Sequence, residues 1–157
     1  MSSVFCYDWC MQRINVRAII IHENKLLLVK HTPYAGEAND YYNTIGGGLD
    51  DNEDLVKGLE REVLEETGVT ATVGRLLFVQ QYTDARGDTI EFFFHITNDT
   101  AFQTIDLTKT THGEKEIQEI GFFDPKTITV LPAFLKEIET SALTANPDVL
   151  FFNYIKK

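Results

Sequence analysis

Cysteine is scarce in this chain: Cys6 and Cys10 are the only two, and both lie near the start. They leave no second pair for a zinc site and form no disulfide framework, so reduced thiols are expected. Basic residues are also few, 14 against 24 acidic ones, for a net charge of −10. So acidic a chain has no bulk field to draw in polyanions, which argues against a nucleic-acid polymer as partner. It leaves room for a small anionic ligand that arrives with its own cation. No apolar run approaches the roughly 18 residues of a membrane helix. Residues 1–12 carry no basic segment followed by an apolar one, so no secretory leader is expected and the cytoplasm is the simplest location. Repeats, low-complexity tracts and a second domain are lacking too.

What the chain does have fits one folded domain over residues 1–157, with 43% hydrophobic and 11% aromatic residues for its core. β-rich runs at 15–21 and 25–30 flank a turn at His22-Glu23-Asn24, where Asn24 tolerates positive φ. Residues 31–43 read as a polar loop carrying Tyr34, Tyr41 and Tyr42. Further strands are expected at 71–82 and 89–96 around a turn at 84–88, then a loop over 97–113, a strand at 116–123 and a closing helix at 132–141. Within Phe92-Phe93-Phe94, the period of two turns Phe93 away from its neighbours. Periodicity alone yields an α/β class.

The helix between these runs is the most legible element. Asp54 is a good N-cap for residues 55–67, and Gly68 supplies the left-handed stop beyond them. Leu55, Val56, Leu59 and Val63 have the spacing of a buried stripe. Gly58 in the interior disfavours the helix by about 1 kcal/mol against alanine, which implies that something packs closely there. Glu62, Glu65 and Glu66 stand at i, i+3 and i+4 and share one face. Like charges at that spacing repel, and a hard divalent cation, Mg²⁺ or Mn²⁺, would relieve them through oxygen ligands. A merely solvated acidic face is the plainer reading of the three glutamates alone.

The surroundings of those glutamates decide between the two. Glu53 follows Gly47 after five residues, Arg61 follows Glu53 after seven, and Arg61-Glu62-Val63-Leu64-Glu65-Glu66-Thr67-Gly68-Val69 completes the run. This resembles the Nudix box, G-x5-E-x7-R-E-U-x-E-E-x-G-U with U apolar, at every specified position. The resemblance extends over essentially the whole chain and implies a mixed β-sheet sandwiched between helices. It also implies a metal-dependent pyrophosphohydrolase acting on a nucleoside diphosphate linked to another group, or on a nucleoside triphosphate. Glu65 and Glu66 would be the central metal ligands, joined by the Gly47 carbonyl. Glu62 would be a further ligand or the base, and Arg61 would pair with a box carboxylate and orient it. Glu53 reads as a brace for the loop.

Family members often recruit a later acid; Glu114, Glu116 and Glu119 are the candidates, with Glu116 preferred, although each also reads as a surface charge. Two departures stand out. Tyr42-Asn43-Thr44-Ile45-Gly46-Gly47 replaces the common Trp-x-Leu-Pro-Gly-Gly, and Asn52 replaces a glycine before Glu53. Asparagine accepts left-handed geometry, so that turn should survive. Substrate contacts are expected from Arg17, Tyr34 and Tyr42, with Lys30, His31 and Arg86 as further phosphate candidates. ADP-ribose enzymes of the family typically carry a proline soon after the box, and none occurs here between Val69 and Pro125. A nucleotide-sensing domain and an isopentenyl-diphosphate isomerase share the fold. The intact acids disfavour the first, and the early position of both cysteines disfavours the second. A homodimer is compatible with the sequence.

Overall fold

Strand β1 (Arg13–Ile19) sends its side chains to two different environments. Val16 and Ala18 are fully buried with Leu59 and Val63 of helix α1 (Leu55–Thr67). Arg17 faces the other way, into a cleft, and Ile19 joins a second apolar cluster beyond it. The computed structural model describes residues 12–33, 40–84, 87–111, 113–143, 145 and 148–154. Cys6, Cys10, Tyr34 and Arg86 lie outside the described residues.

β1 runs parallel to β6 (Gly87–Ile96), β6 is antiparallel to β5 (Val73–Asp84), and β5 is parallel to β9 (Leu150–Tyr154). The sheet order is therefore β1-β6-β5-β9. A second sheet joins β2 (Ile21–His22), β3 (Lys25–His31), β4 (Tyr42–Asn43) and β8 (Val130–Leu131), with β7 (Ile117–Phe123) antiparallel to β3. The turn between β2 and β3 places Glu23 and Asn24 at φ of 48° and 62°, the left-handed pair a tight hairpin needs. The class is α/β with mixed sheets.

Period-two alternation in β6 holds. Phe94 packs on the α1 side, while Phe93 packs edge-on against Phe78 and Phe134, whose ring stacks on Phe152 at 4.0 Å. This second cluster explains the main departure from expectation. Residues 132–141 are not one helix but a 3₁₀ turn, Ala133–Lys136, followed by α3, Thr140–Leu143. Short helices are marginal on propensity alone, so burying Phe134 and Leu135 among the aromatic rings sets the local backbone. The stretch 97–113 holds two short 3₁₀ turns, Asp99–Gln103 and Leu107–Lys109. Strand 116–123 begins one residue late, because Glu116 closes the short helix α2 (Gly113–Glu116). The two-residue strands β4 and β8 went unanticipated, being too short for a periodic signal, and so did β9, whose Leu-Phe-Phe-Asn-Tyr run does not alternate. No helix among the described residues is long and apolar enough to cross a membrane.

Candidate active site

Helix α1 starts as its sequence dictates. The Asp54 carboxylate accepts from the amides of Val56 at 3.0 Å and Lys57 at 2.9 Å, and Gly68 ends the helix at φ 71° with its N–H on the Leu64 carbonyl. The buried ridge is not quite the expected stripe. Val56 is 38% exposed, and the ridge instead runs Leu59, Val63, Glu66 and Thr67. Glu66, 8% exposed, therefore occupies a position whose spacing calls for an apolar side chain. Gly58 does admit a close neighbour: a Cβ there would run into the Leu49 side chain.

The glycine segment lies along the free edge of β1. Val16 N–H donates to the Gly47 carbonyl at 2.9 Å, Ala18 to Ile45 at 2.8 Å, and Leu49 back to Ile14 at 3.1 Å. Gly46 adopts φ 127°, and a Cβ on it would collide with the Val16 carbonyl oxygen, so no other residue fits. Ile45, standing where a proline is common, is fully buried, and Asn52 takes the left-handed φ of 64° expected of it. Together these features hold the loop against α1. The Gly46 N–H donates to Glu66 Oε2 at 3.3 Å, and the Glu62 carboxylate lies directly against Gly47.

Arg61 organises the remaining acids. It grips Glu53 with two bonds of 2.9 Å, donates to Glu62 Oε1 at 2.9 Å and Glu65 Oε2 at 3.2 Å, and reaches the Gly48 carbonyl at 3.1 Å. That grip holds the Glu53 carboxyl down at about 2. Burial pushes Glu62 up, against the pull of Arg61. Burial likewise pushes Glu66 up to about 8, with the charges of Glu62 and Glu116 adding to the rise; Arg17 and the Gly46 N–H oppose it. Among the described residues, no three His, Cys, Asp or Glu side chains converge closely enough to hold a metal ion as they stand. The donor chemistry nonetheless suits one: the box offers carboxylate oxygens, and Glu66, the most buried of its acids, is driven toward its neutral form by burial.

The other expected residues are distributed unevenly. Glu116 is exposed at the end of α2 yet near enough to raise Glu66. Glu119 accepts the Tyr42 hydroxyl at 2.5 Å, and the Tyr42 ring packs on Phe123. Lys30 pairs with Asp40 at 2.9 Å. Burial and Arg17 lower His31. Arg17 donates to Glu91 at 2.9 Å, to the Gly46 carbonyl at 2.6 Å and to the Thr44 carbonyl at 3.3 Å. Most of its donors are thus committed to the protein itself.

Arg17 also connects the acidic face to a cleft of about 450 Å³. Arg17, Asn43, Thr44, Gln80, Asp84 and Glu91 are its polar lining, and Tyr41, Tyr82 and Tyr154 supply aromatic rings. Tyr41, rather than Tyr42, borders the cleft. Glu91, 4% exposed, collects Arg17, the Asn15 amide at 3.1 Å and the Gln80 amide at 3.3 Å. Sequence reasoning missed Glu91 and Gln80. The signal was there: Glu91 shares the strand face of Phe93, so a charge sits in a core register.

A family model described as NUDIX domain matches residues 11–143. No curated protein sequence matches the chain. Among solved structures, the E. coli ORF135 protein superposes with a TM-score of 0.64 at 22% identity, over 87% of this chain and 94% of that one. A UDP-X diphosphatase gives 0.63 at 20% identity, over 92% and 68%. An ADP-ribose pyrophosphatase from Streptococcus suis gives 0.59 at 18% identity, over 90% and 99%. At these identities the likeness is one of fold.

Proposed function

The chain belongs to the NUDIX domain family, and from that premise we propose that it is a metal-dependent pyrophosphohydrolase. Its substrate would be a nucleoside diphosphate joined to another group, or a nucleoside triphosphate, cleaved by water at phosphorus. The observation that carries this reading is Glu66, a buried carboxylate beside Glu62 at the glycine segment, whose charged form a cation would stabilise.

Glu65 and Glu66, with the Gly47 carbonyl, would hold Mg²⁺ or Mn²⁺, and Glu62 and Glu116 stand by as further ligands. The Gly47 carbonyl already accepts from Val16, and its second lone pair remains for a cation. A divalent ion so held supplies charge neutralisation for a diphosphate and a lower pKa for bound water. The chain's own residues do the rest. Arg61 fixes the Glu62 and Glu65 carboxylates in place, as a planar guanidinium can. Glu62, raised by burial, is suited to take a proton from water. Glu53 anchors Arg61 and would act through it. The cleft beyond Arg17 would take the nucleoside part, with Tyr41 in the stacking role expected of Tyr42.

The names UDP-X diphosphatase and ADP-ribose pyrophosphatase among the structural neighbours speak for the same bond type. The lack of proline between Val69 and Pro125 disfavours ADP-ribose itself. The test is a panel of nucleoside triphosphates, nucleotide sugars, ADP-ribose, dinucleoside polyphosphates and isopentenyl diphosphate, each with Mg²⁺ and with EDTA. Metal-dependent release of a nucleoside monophosphate supports the hydrolase. Nucleotide binding without turnover would replace it with a sensing domain.

A further inference from the structure

Glu91 is a buried acid to which the reaction described above gives no part. It stands on β6, an inner strand of its sheet, two residues from Phe93 and on the same face. A carboxylate buried in that register is costly unless it is paired. Three donors pair it: the Asn15 amide at 3.1 Å, the Gln80 amide at 3.3 Å and Nε of Arg17 at 2.9 Å. Asn15 and Gln80 are themselves buried, so the carboxylate sits in a fixed seat and presents one oxygen to Arg17.

A guanidinium is planar, so a bond to Nε also sets where its other nitrogens point. Nη1 of Arg17 donates to the Gly46 carbonyl at 2.6 Å and to the Thr44 carbonyl at 3.3 Å. These two carbonyls alternate with those of Ile45 and Gly47, which accept from the Ala18 and Val16 amides of β1. The glycine segment is therefore held from both sides, by the main chain of β1 and by Arg17. The Arg17 contact falls at its softest point. The peptide joining Gly46 to Gly47 lies between two residues without Cβ, so its rotation meets few steric barriers. Unless that peptide is pinned, the groups on either side of it lose their setting. One is the Gly46 N–H, bonded to Glu66 Oε2 at 3.3 Å; the other is the Gly47 carbonyl.

We propose that Glu91 and Arg17 are positioning residues for the divalent ion of the hydrolase reading, on which this inference rests. Glu91 orients the guanidinium, and Arg17 pins the Gly46–Gly47 peptide, which keeps the Gly47 carbonyl and the Glu66 carboxylate in place for an ion. Both act through the glycine segment and not as ligands.

The test is Mn²⁺ binding to the full chain without nucleotide, read from the electron paramagnetic resonance signal of the free ion. Arg17→Lys keeps a positive charge opposite Glu91 but has no planar fork to hold Glu91 and the Gly46 carbonyl together. Glu91→Gln keeps the side-chain shape and removes the charge that orients Arg17. Each should weaken Mn²⁺ binding about tenfold or more, the scale on which groups that orient metal ligands act. Leu143→Ala, a cavity variant in the aromatic cluster, is the control for lost stability and should bind Mn²⁺ as the wild type does. Wild-type affinity in either Arg17→Lys or Glu91→Gln overturns the proposal, as does an equal loss in Leu143→Ala. Should Glu91→Gln fail to fold, Arg17→Lys decides alone. A wild type that binds no Mn²⁺ ends the metal-dependent reading and the proposal together. Wild-type binding with unaffected variants ends the proposal and leaves that reading standing.

Discussion

Arg61 meets Glu53 through two parallel hydrogen bonds of 2.9 Å each, and its remaining donors reach Glu62, Glu65 and the Gly48 carbonyl. One guanidinium therefore ties the start of the box loop to two acids of the helix. A lysine offers a point charge with no planar fork. Arg61→Lys should leave the fold intact and lower kcat/KM roughly 10²-fold, the scale of an ångström-level misplacement. Steady-state kinetics beside a circular dichroism spectrum checks this.

The same pair sets an acid limb of stability. The folded pKa of Glu53 lies at about 2, below the ordinary 4.5. Its contribution is present above pH 4.5 and is lost as pH falls from there toward 2. Urea midpoints measured between pH 7 and pH 3 should fall less steeply in Glu53→Gln than in the wild type.

Glu66 acts in the opposite sense. Its folded pKa, about 8, lies above the ordinary 4.5 because burial penalises the charge. Its contribution is full below pH 4.5 and is lost as pH rises toward 8. Metal-free protein at pH 8 should thus melt higher as Glu66→Gln than as wild type. Added Mg²⁺ should raise the wild-type Tm through binding to the folded state, with little effect on the variant. Thermal scans with EDTA and with Mg²⁺ separate the two.

Arg17 was expected at a phosphate; the structure commits it to Glu91 and to the Gly46 and Thr44 carbonyls. Removing one partner of a buried pair strands the other charge. Arg17→Met should destabilise the fold by about 3–5 kcal/mol, and Arg17→Met combined with Glu91→Gln should recover part of that loss. Denaturant unfolding of the wild type, Arg17→Met, Glu91→Gln and the double variant reads the coupling.

The sequence made helix α1 legible almost to the residue, since Asp54, Gly68 and the Leu59–Val63 ridge act locally. The shared face of Glu62 and Glu66 follows from their spacing on that helix, whereas the Gly46 requirement comes from the pairing of its loop with β1. The cleft was not legible. Its lining includes Arg17, Thr44, Gln80 and Glu91, which lie on four separate stretches, and only the register of β1, β6 and β5 brings three of them side by side. Residues 132–141 misled for a related reason: their apolar spacing suits a helix, but Phe134 is fixed by rings distant in sequence. Local signals set local structure, while pairing between remote strands assembled the rest.

The most direct test of the central claim is turnover by Glu65→Gln and Glu66→Gln, each verified as folded, on whichever nucleotide the wild type hydrolyses with Mg²⁺. Each substitution keeps the shape of the side chain and removes its charge. The account predicts loss of most turnover in both variants, with the far-ultraviolet spectrum unchanged. Mg²⁺-dependent hydrolysis at the wild-type rate in both would contradict it and place the metal elsewhere.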